Sequence, residues 1–179
     1  FRVLELLKTI TVQLLAGMSG GRTITEEAAL ELIKKGADVN VANNKGNSVL
    51  HWACMMGYKK LVALLLEKKA TLDCKNEAGD TPLLAAISME GSTEDIALQL
   101  VAQGADVNAV DKDGDSVLHW ACIANFKELL AQLLQKGVNL NTKNRHGQTA
   151  LQFAIRLKQE DIVLQLVAQG ADVNAVDKD

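Results

Sequence analysis

Residues 104–118, GADVNAVDKDGDSVL, contain the signals from which we predict the fold of this chain. Gly104 follows an apolar run and stands where a helix needs a left-handed C-cap. Asp111 and Gly114 indicate a turn, because an Asx side chain bonds its own backbone and glycine accepts a positive φ. Ser116 precedes a further apolar run, which is typical of a helix N-cap. The stretch therefore predicts a helix end, a turn and the next helix start.

The same pattern recurs along the chain with a period close to 33 residues. Its turn glycines are separated by 33, 35 and 33 residues, and each has Asn or Asp three positions earlier. A hydroxyl residue follows each glycine by two positions. The glycines are Gly46, Gly79, Gly114 and Gly147, the hydroxyl residues are Ser48, Thr81, Ser116 and Thr149, and the helix-ending glycines are Gly36, Gly104, Gly137 and Gly170. This period predicts stacked helix-turn-helix units.

Several of these motifs resemble the ankyrin-repeat family. Residues 79–83, GDTPL, resemble its G-x-T-P-L-H signature, and LHWA at 50–53 and 118–121 resembles its L-H-x-A core. The resemblance implies an all-α solenoid of helix-turn-helix units joined by β-hairpin-like loops, forming a single domain over residues 1–179. We expect repeats at about 9–43, 44–76, 77–111, 112–144 and 145–177.

Two longer stretches recur without any change. Residues 98–113 are repeated as 164–179, and residues 48–54 are repeated as 116–122, so alternate units resemble each other. The earlier copy continues into another unit, which predicts further repeats after Asp179. Lys69 stands where the C-cap glycine is expected, which costs on the order of 1 kcal/mol if its φ is positive.

Composition argues against several classes of partner. The chain has 22 acidic and 19 basic residues and a net charge of −3, without the basic stripe that binds nucleic acid. No uncharged apolar run reaches the roughly 20 residues that span a bilayer. The chain has three cysteines, an odd number that cannot all pair within one chain, so the sequence predicts no disulfide framework. We therefore expect a cytoplasmic or nuclear protein with no nucleic-acid or membrane partner.

Histidine and cysteine occur together twice, as His51 with Cys54 and His119 with Cys122. This i,i+3 spacing puts both side chains on one helix face and is compatible with half of a zinc site. The two pairs lie two repeats apart, roughly 20 Å at ordinary helix spacing, whereas zinc ligands converge on one ion. We therefore expect no metal, with both histidines bonding locally at repeat boundaries. Cys74 and His146 stand apart and are assigned no chemistry.

Two catalytic or metal-binding interpretations remain to be weighed. Ser48 with His51 has the types of a nucleophile and a base, but a serine at a helix start is expected to be an N-cap. The acidic run after Val110 has types that suit calcium, but its glycine is at the fourth position and Cys122 stands at the twelfth. The sequence therefore predicts neither enzyme activity nor a cofactor.

The ankyrin resemblance implies a protein or peptide partner, bound by the hairpin tips and the inner face of each first helix. The corresponding positions, unit by unit, are Asn44, Lys45, Asn47, Met55 and Met56, then Glu77, Ala78, Asp80, Ser88 and Met89, then Lys112, Asp113, Asp115, Ile123 and Ala124, and finally Arg145, His146, Gln148, Arg156 and Leu157. The resemblance also implies that Trp52 and Trp120 pack between helices, with partner contact as the alternative.

This surface combines an apolar stripe with an acidic middle and a basic end. The stripe consists of Met55, Met56, Met89, Ile123 and Leu157, and the acidic residues are Glu77, Asp80, Asp113 and Asp115. We expect an extended or helical partner with large apolar side chains and with basic residues near the acidic middle. Two alternatives stay open: self-association through uncapped repeat ends, and recruitment of a substrate for an enzyme domain elsewhere in a larger protein.

Overall fold

The structure is a computed structural model that describes residues 2–19, 24–88 and 93–178. The described residues form ten α-helices, and the only other regular elements among them are two isolated antiparallel bridges, Ala42 with Ser48 and Val110 with Ser116. The predicted all-α repeat fold is confirmed. The helices are α1 (Arg2–Ser19), α2 (Glu26–Lys34), α3 (Val49–Met55), α4 (Lys59–Glu67), α5 (Pro82–Ser88), α6 (Glu94–Ala102), α7 (Val117–Ala124), α8 (Lys127–Gln135), α9 (Ala150–Arg156) and α10 (Glu160–Ala168).

The helices follow one another as five pairs, and we number these pairs from α1/α2 to α9/α10. Pairs two to five lie within the expected repeats 44–76, 77–111, 112–144 and 145–177. In the first pair, α1 begins at Arg2, ahead of the expected start of the first repeat at about residue 9. No helix in the described ranges is both long and apolar enough to cross a membrane.

Local capping explains where the helices begin and end. Ser48, Ser116 and Thr149 each accept a hydrogen bond from the backbone N–H three residues later, which satisfies a free donor at the helix start. At the opposite ends, Gly36 and Gly104 have φ values of +102° and +93°. The predicted N-caps and left-handed C-caps are therefore present.

One hydrophobic core runs through the stack. The first helices α3, α5, α7 and α9 contact one another in succession, and the second helices α2, α4, α6 and α8 do the same. Leucines at the same position of each first helix are buried in this core: Leu50, Leu83, Leu118 and Leu151. A single pair could not bury these faces alone, so the fold depends on contact between neighbours.

The hairpin tips are joined into a row by the backbone. Glu77 N–H donates to the Lys45 carbonyl at 3.0 Å, and Lys112 N–H donates to the Ala78 carbonyl at 3.3 Å. Gly79 is required at this junction, since its φ is +79° and an added Cβ would lie 3.0 Å from Lys112 N. The row of tips fixes the spacing of the side chains that project from it.

Replacing Lys69 by glycine is expected to raise the free energy of unfolding by about 1 kcal/mol, because a side chain at positive φ is strained. Lys69 has a φ of +57° at the position where Gly104 ends α6. Urea unfolding followed by circular dichroism measures the change. Lys68→Gly is the matched control, because Lys68 has a φ of −80° and glycine there only loosens the helix end. Equal effects of the two substitutions would contradict the strain argument.

Candidate functional site

A groove of about 510 Å³ lies between the hairpin tips and the first helices of the second and third pairs. We call it the Ala85 groove, after the alanine in its lining. It brings together eight of the predicted partner-binding residues, together with two others. Its lining residues are Lys45, Asn47, Met55, Asn76, Glu77, Ala78, Asp80, Ala85, Ser88 and Lys112.

Ala85 occupies a position at which the second, fourth and fifth pairs carry large aromatic side chains. Counting from the N-cap of each first helix, Trp52, Trp120 and Phe153 are its equivalents. Trp52 is buried and meets the ring of Tyr58 edge-on at 5.3 Å. Ala85 is smaller than these rings, and at 3% exposure it lines the groove of the third pair.

The other aromatic positions are occupied by rings that contact neighbouring side chains. Trp120 is half-buried, and its Nε1 donates to Asp111 Oδ2 at 3.0 Å. The guanidinium of Arg156 lies 4.5 Å from the centre of the Phe153 ring, a cation-π contact. The expected packing of both tryptophans against the core is therefore observed.

Both signs of charge line the Ala85 groove. Glu77 and Asp80 contribute carboxylates, while Lys45 and Lys112 contribute ammonium groups. Burial raises the pKa of the Asp80 carboxyl, and the Asp111 carboxylate raises it further, against the lowering effects of a hydrogen bond from Asn76 and of nearby lysines. The groove therefore presents polar walls of mixed charge around an apolar floor.

The remaining predicted residues do not line this groove in the described structure. Asp113 and Arg145 form an ion pair, with Nη1 to Oδ1 at 2.6 Å, and Asp115 Oδ1 accepts from Asn144 Nδ2 at 2.8 Å. Part of the expected acidic middle is thus engaged in contacts between neighbouring pairs. Asn44, Met56, Ile123, His146 and Arg156 are exposed elsewhere on the surface, as is Leu157, and Met89 lies outside the described residues.

Two lining residues were missed by the sequence analysis, Asn76 and Ala85. Asn76 Nδ2 donates to Asn47 Oδ1 at 2.8 Å, which ties the wall of the groove to the preceding tip. The signal for Asn76 was its place in the turn pattern. The signal for Ala85 was its alignment with Trp52 and Trp120, because a small side chain stands there in place of a large ring.

The two buried histidines connect neighbouring pairs, as expected. Ser48 N–H donates to His51 Nδ1 at 3.2 Å, so the neutral ring carries its proton on Nε2, which donates to the Asp80 carbonyl at 2.8 Å. His119 makes the same bonds to Ser116 N–H and the Gln148 carbonyl. Burial lowers the pKa of both histidines.

These contacts assign the Ser-His pairs a structural role. Ser48 Oγ accepts from the His51 backbone N–H as an N-cap, and the side chains form a reciprocal capping box. Burial raises the pKa of the Cys54 thiol, and it raises that of Cys122 to about 12, so both cysteines are protonated at neutral pH. No cluster of three His, Cys, Asp or Glu side chains with metal-binding geometry occurs among the residues that the structure describes.

The placement of Cys74 differs from the sequence analysis, which treated this residue as isolated. Its Sγ lies 3.6 Å from Ser48 Oγ and 3.9 Å from His51 Nδ1. The prediction was wrong because Cys74 lies in the loop that follows α4, and the folded path of this loop places the residue next to the start of α3. The Cys74 thiol therefore contacts the Ser48 and His51 side chains that cap α3.

Comparison with known proteins supports the repeat assignment. A family model described as ankyrin repeats (3 copies) matches residues 18–111 and 85–177. The chain is 40% identical over 102 residues to Neurogenic locus notch homolog protein 1 of Mus musculus, and 37% identical over 107 residues to the same protein of Danio rerio. It is 37% identical over 100 residues to Neurogenic locus notch homolog protein 2 of Homo sapiens. These matches cover 55% to 58% of this chain and 4% of the length of each relative.

Proposed function

The chain belongs to the ankyrin-repeat family, whose members generally serve as protein-protein interaction modules, and we propose that it binds a segment of another protein in the Ala85 groove. The segment is extended or helical and contributes one large apolar side chain to the groove. The observation that carries this proposal is the alanine at a position filled by Trp52, Trp120 and Phe153 in the other pairs.

The lining suits an apolar anchor side chain. Ala85 and Ala78 leave room beside Met55, whose unbranched side chain can adapt to an irregular group. A partner's ring placed over Ala85 would occupy the space that the Trp52 indole fills in the preceding pair. Such a buried anchor surrounded by polar groups is the usual form of a binding hot spot.

The walls supply specificity through charge. A basic residue of the partner would lie beside Glu77 and Asp80, as expected from the acidic residues of the sequence. The ammonium groups of Lys45 and Lys112 favour an acidic or carbonyl group on the other side of the anchor. Complementary charges of this kind mainly raise the association rate and exclude wrong partners.

Replacing Ala85 by tryptophan is expected to fill the groove and to weaken binding at least tenfold, or about 1.4 kcal/mol. The probe is a set of peptides selected from a random display library on the full chain, and fluorescence titration gives their Kd. The selected peptides are expected to share a large apolar residue near a basic one. Thermal unfolding of Ala85→Trp shows whether the variant is folded.

Two further variants keep this test decisive. Val12→Trp adds the same side chain at an exposed position of α1 and should leave the Kd unchanged. Ser88→Arg blocks the rim of the groove without altering its floor, so it replaces Ala85→Trp if the latter does not fold. Peptides that bind both groove variants as tightly as the parent chain would disprove the proposed site.

A further inference from the structure

The side chains of successive hairpin tips bond to each other across the junctions between neighbouring pairs. Asn76 Nδ2 of the third pair donates to Asn47 Oδ1 of the second pair at 2.8 Å. In the same way Asn144 Nδ2 of the fifth pair donates to Asp115 Oδ1 of the fourth pair at 2.8 Å. In both junctions the amide of the later tip supplies the hydrogen, and the residue after the turn glycine of the earlier tip accepts it. Each of these junctions therefore depends on a side-chain donor.

The junction between the third and fourth pairs has two carboxylates at these positions. The residue after the turn glycine of the earlier tip is Asp80, and the position of the donating amides is held by Asp111. The backbone joins the two tips as in the other junctions, with Lys112 N–H donating to the Ala78 carbonyl at 3.3 Å. An ionised carboxylate accepts hydrogen bonds but donates none, so this pair of side chains supplies no donor when both are ionised.

Asp111 is the acceptor of this pair of carboxylates. Its Oδ1 accepts from the N–H groups of Asp113 and Asp115, each at 2.9 Å, and its Oδ2 accepts from Trp120 Nε1 at 3.0 Å. Because three donors already point at these oxygens, a proton shared by the pair is held more favourably by Asp80. Asp111 Oδ2 retains a second lone pair, since a carboxylate oxygen can accept two hydrogen bonds. A protonated Asp80 would therefore find its acceptor at Asp111 Oδ2.

The surroundings of Asp80 favour uptake of this proton. The charged and titratable groups around it are Lys75 and Glu77 of its own tip, Asp111 and Lys112 of the fourth pair, Lys45 of the second pair, and His51 of α3, whose Nε2 donates to the Asp80 carbonyl. Burial raises the pKa of the Asp80 carboxyl and the Asp111 carboxylate raises it further, against the opposing effects of Asn76, Lys112 and Lys75. The folded chain therefore binds a proton at Asp80 more tightly than the unfolded chain does.

We propose that Asp80 and Asp111 form a pH-sensitive contact between the third and fourth pairs. When Asp80 takes up a proton from solvent, its hydroxyl donates to Asp111 Oδ2, and when it releases the proton the two carboxylates repel each other. The stabilisation is present below the ordinary aspartate pKa of about 3.9 and is lost as the pH rises through the higher pKa of Asp80 in the folded state. Asp80 also lines the Ala85 groove, so the proton removes one negative charge from its wall. The inference does not depend on a ligand in that groove.

Carbon-detected NMR of the full chain measures the titration of the Asp80 carboxyl directly. We expect Asp80 to titrate above the ordinary aspartate pKa of about 3.9, and Asp111→Asn to lower its pKa, because an amide at position 111 removes the repelling charge and supplies a donor to ionised Asp80. Asn76 and Asn144 show that a tip accommodates asparagine at this position. Asp115→Asn is the matched control and should leave the Asp80 titration unchanged. An Asp80 pKa that Asp111→Asn does not lower would overturn the proposal.

Asp80→Asn supplies the donor at every pH, because its Nδ2 takes the place of the protonated carboxyl. We expect it to raise the folding equilibrium constant by about fivefold at about pH 7, measured by urea unfolding. Asp80→Ala removes the repulsion but supplies no donor, so it should raise this constant less. Equal effects of the two substitutions would contradict the hydrogen bond. Both measurements use the chain alone, so they can fail while peptides still bind the Ala85 groove at neutral pH, and they can succeed when no peptide binds.

Discussion

Replacing His119 by alanine is expected to lower the free energy of unfolding by about 3–5 kcal/mol, the largest effect of any substitution discussed for this chain. The ring accepts from Ser116 N–H at 3.1 Å and donates to the Gln148 carbonyl at 2.9 Å. Without the ring both groups lose buried partners, and the edge contact with Phe153 at 5.5 Å is replaced by a cavity. Urea unfolding by circular dichroism and tryptophan fluorescence measures the loss.

Two controls separate the bridging role of His119 from a general effect of losing a histidine. His146 is exposed at a hairpin tip, so His146→Ala should change stability by no more than about 0.5 kcal/mol. His119→Gln should retain more of the stability than His119→Ala, because glutamine keeps an acceptor for the N-cap N–H and a donor at its other end, as Gln152 does in the fifth pair. There Gln152 Oε1 accepts from Thr149 N–H at 2.8 Å, and its Nε2 donates to the Ala175 carbonyl at 3.1 Å. If His119→Ala were as stable as His146→Ala, the hydrogen bonds of the His119 ring would contribute nothing to the free energy of unfolding.

The features that the sequence predicted correctly are encoded locally. Ser48 and Ser116 are recognisable as N-caps because the acceptor and its backbone donor are three residues apart. Gly36 and Gly104 are recognisable as C-caps because they follow apolar runs. The recurrence of these short signals fixes the stacked architecture, since a repeat can bury its apolar face only against a neighbour.

The features that escaped prediction depend on residues in different repeats. Asp113 pairs with Arg145 across 32 positions, so two side chains that the sequence assigned to partner binding also contact each other. Ala85 was missed because its alignment with Trp52 and Trp120 shows a smaller side chain, and the sequence does not show that a groove lies beside it. Cys74 was misplaced for the same reason, since loop closure alone brings its sulfur to Ser48.

Acidification from about pH 7.5 to about pH 5 is expected to destabilise the fold through His51 and His119. Burial lowers the pKa of both rings in the folded state, against opposing contributions from backbone carbonyls and, for His119, from Asp115 and Asp111. Because the folded pKa lies below the ordinary value of about 6.5, the unfolded chain binds more protons as the pH falls. The stabilisation of the folded state by the two neutral rings is therefore complete above about pH 6.5, and it is lost as the pH falls toward the pKa of the rings in the folded state.

The hydrogen bonds give this pH dependence a structural cause. Nδ1 of each ring accepts a hydrogen bond from a backbone N–H, that of Ser48 or of Ser116. A proton added to Nδ1 would point at this N–H and would break the hydrogen bond. Each unit of pKa difference is worth about 1.4 kcal/mol, and the two rings act in separate pairs, so their effects should add.

The double variant His51→Gln/His119→Gln isolates this titration from every other acid-sensitive group. It keeps an acceptor and a donor at both positions, as Gln152 does in the fifth pair, but neither side chain takes up a proton. Its stability measured by urea unfolding should therefore fall less than that of the parent chain between about pH 7.5 and about pH 5. The half-buried Asp80 is present in both proteins, so its protonation cancels in the difference. Parallel pH profiles would mean that the buried rings accept protons without cost, and that the bonds from Ser48 and Ser116 to Nδ1 do not persist in solution.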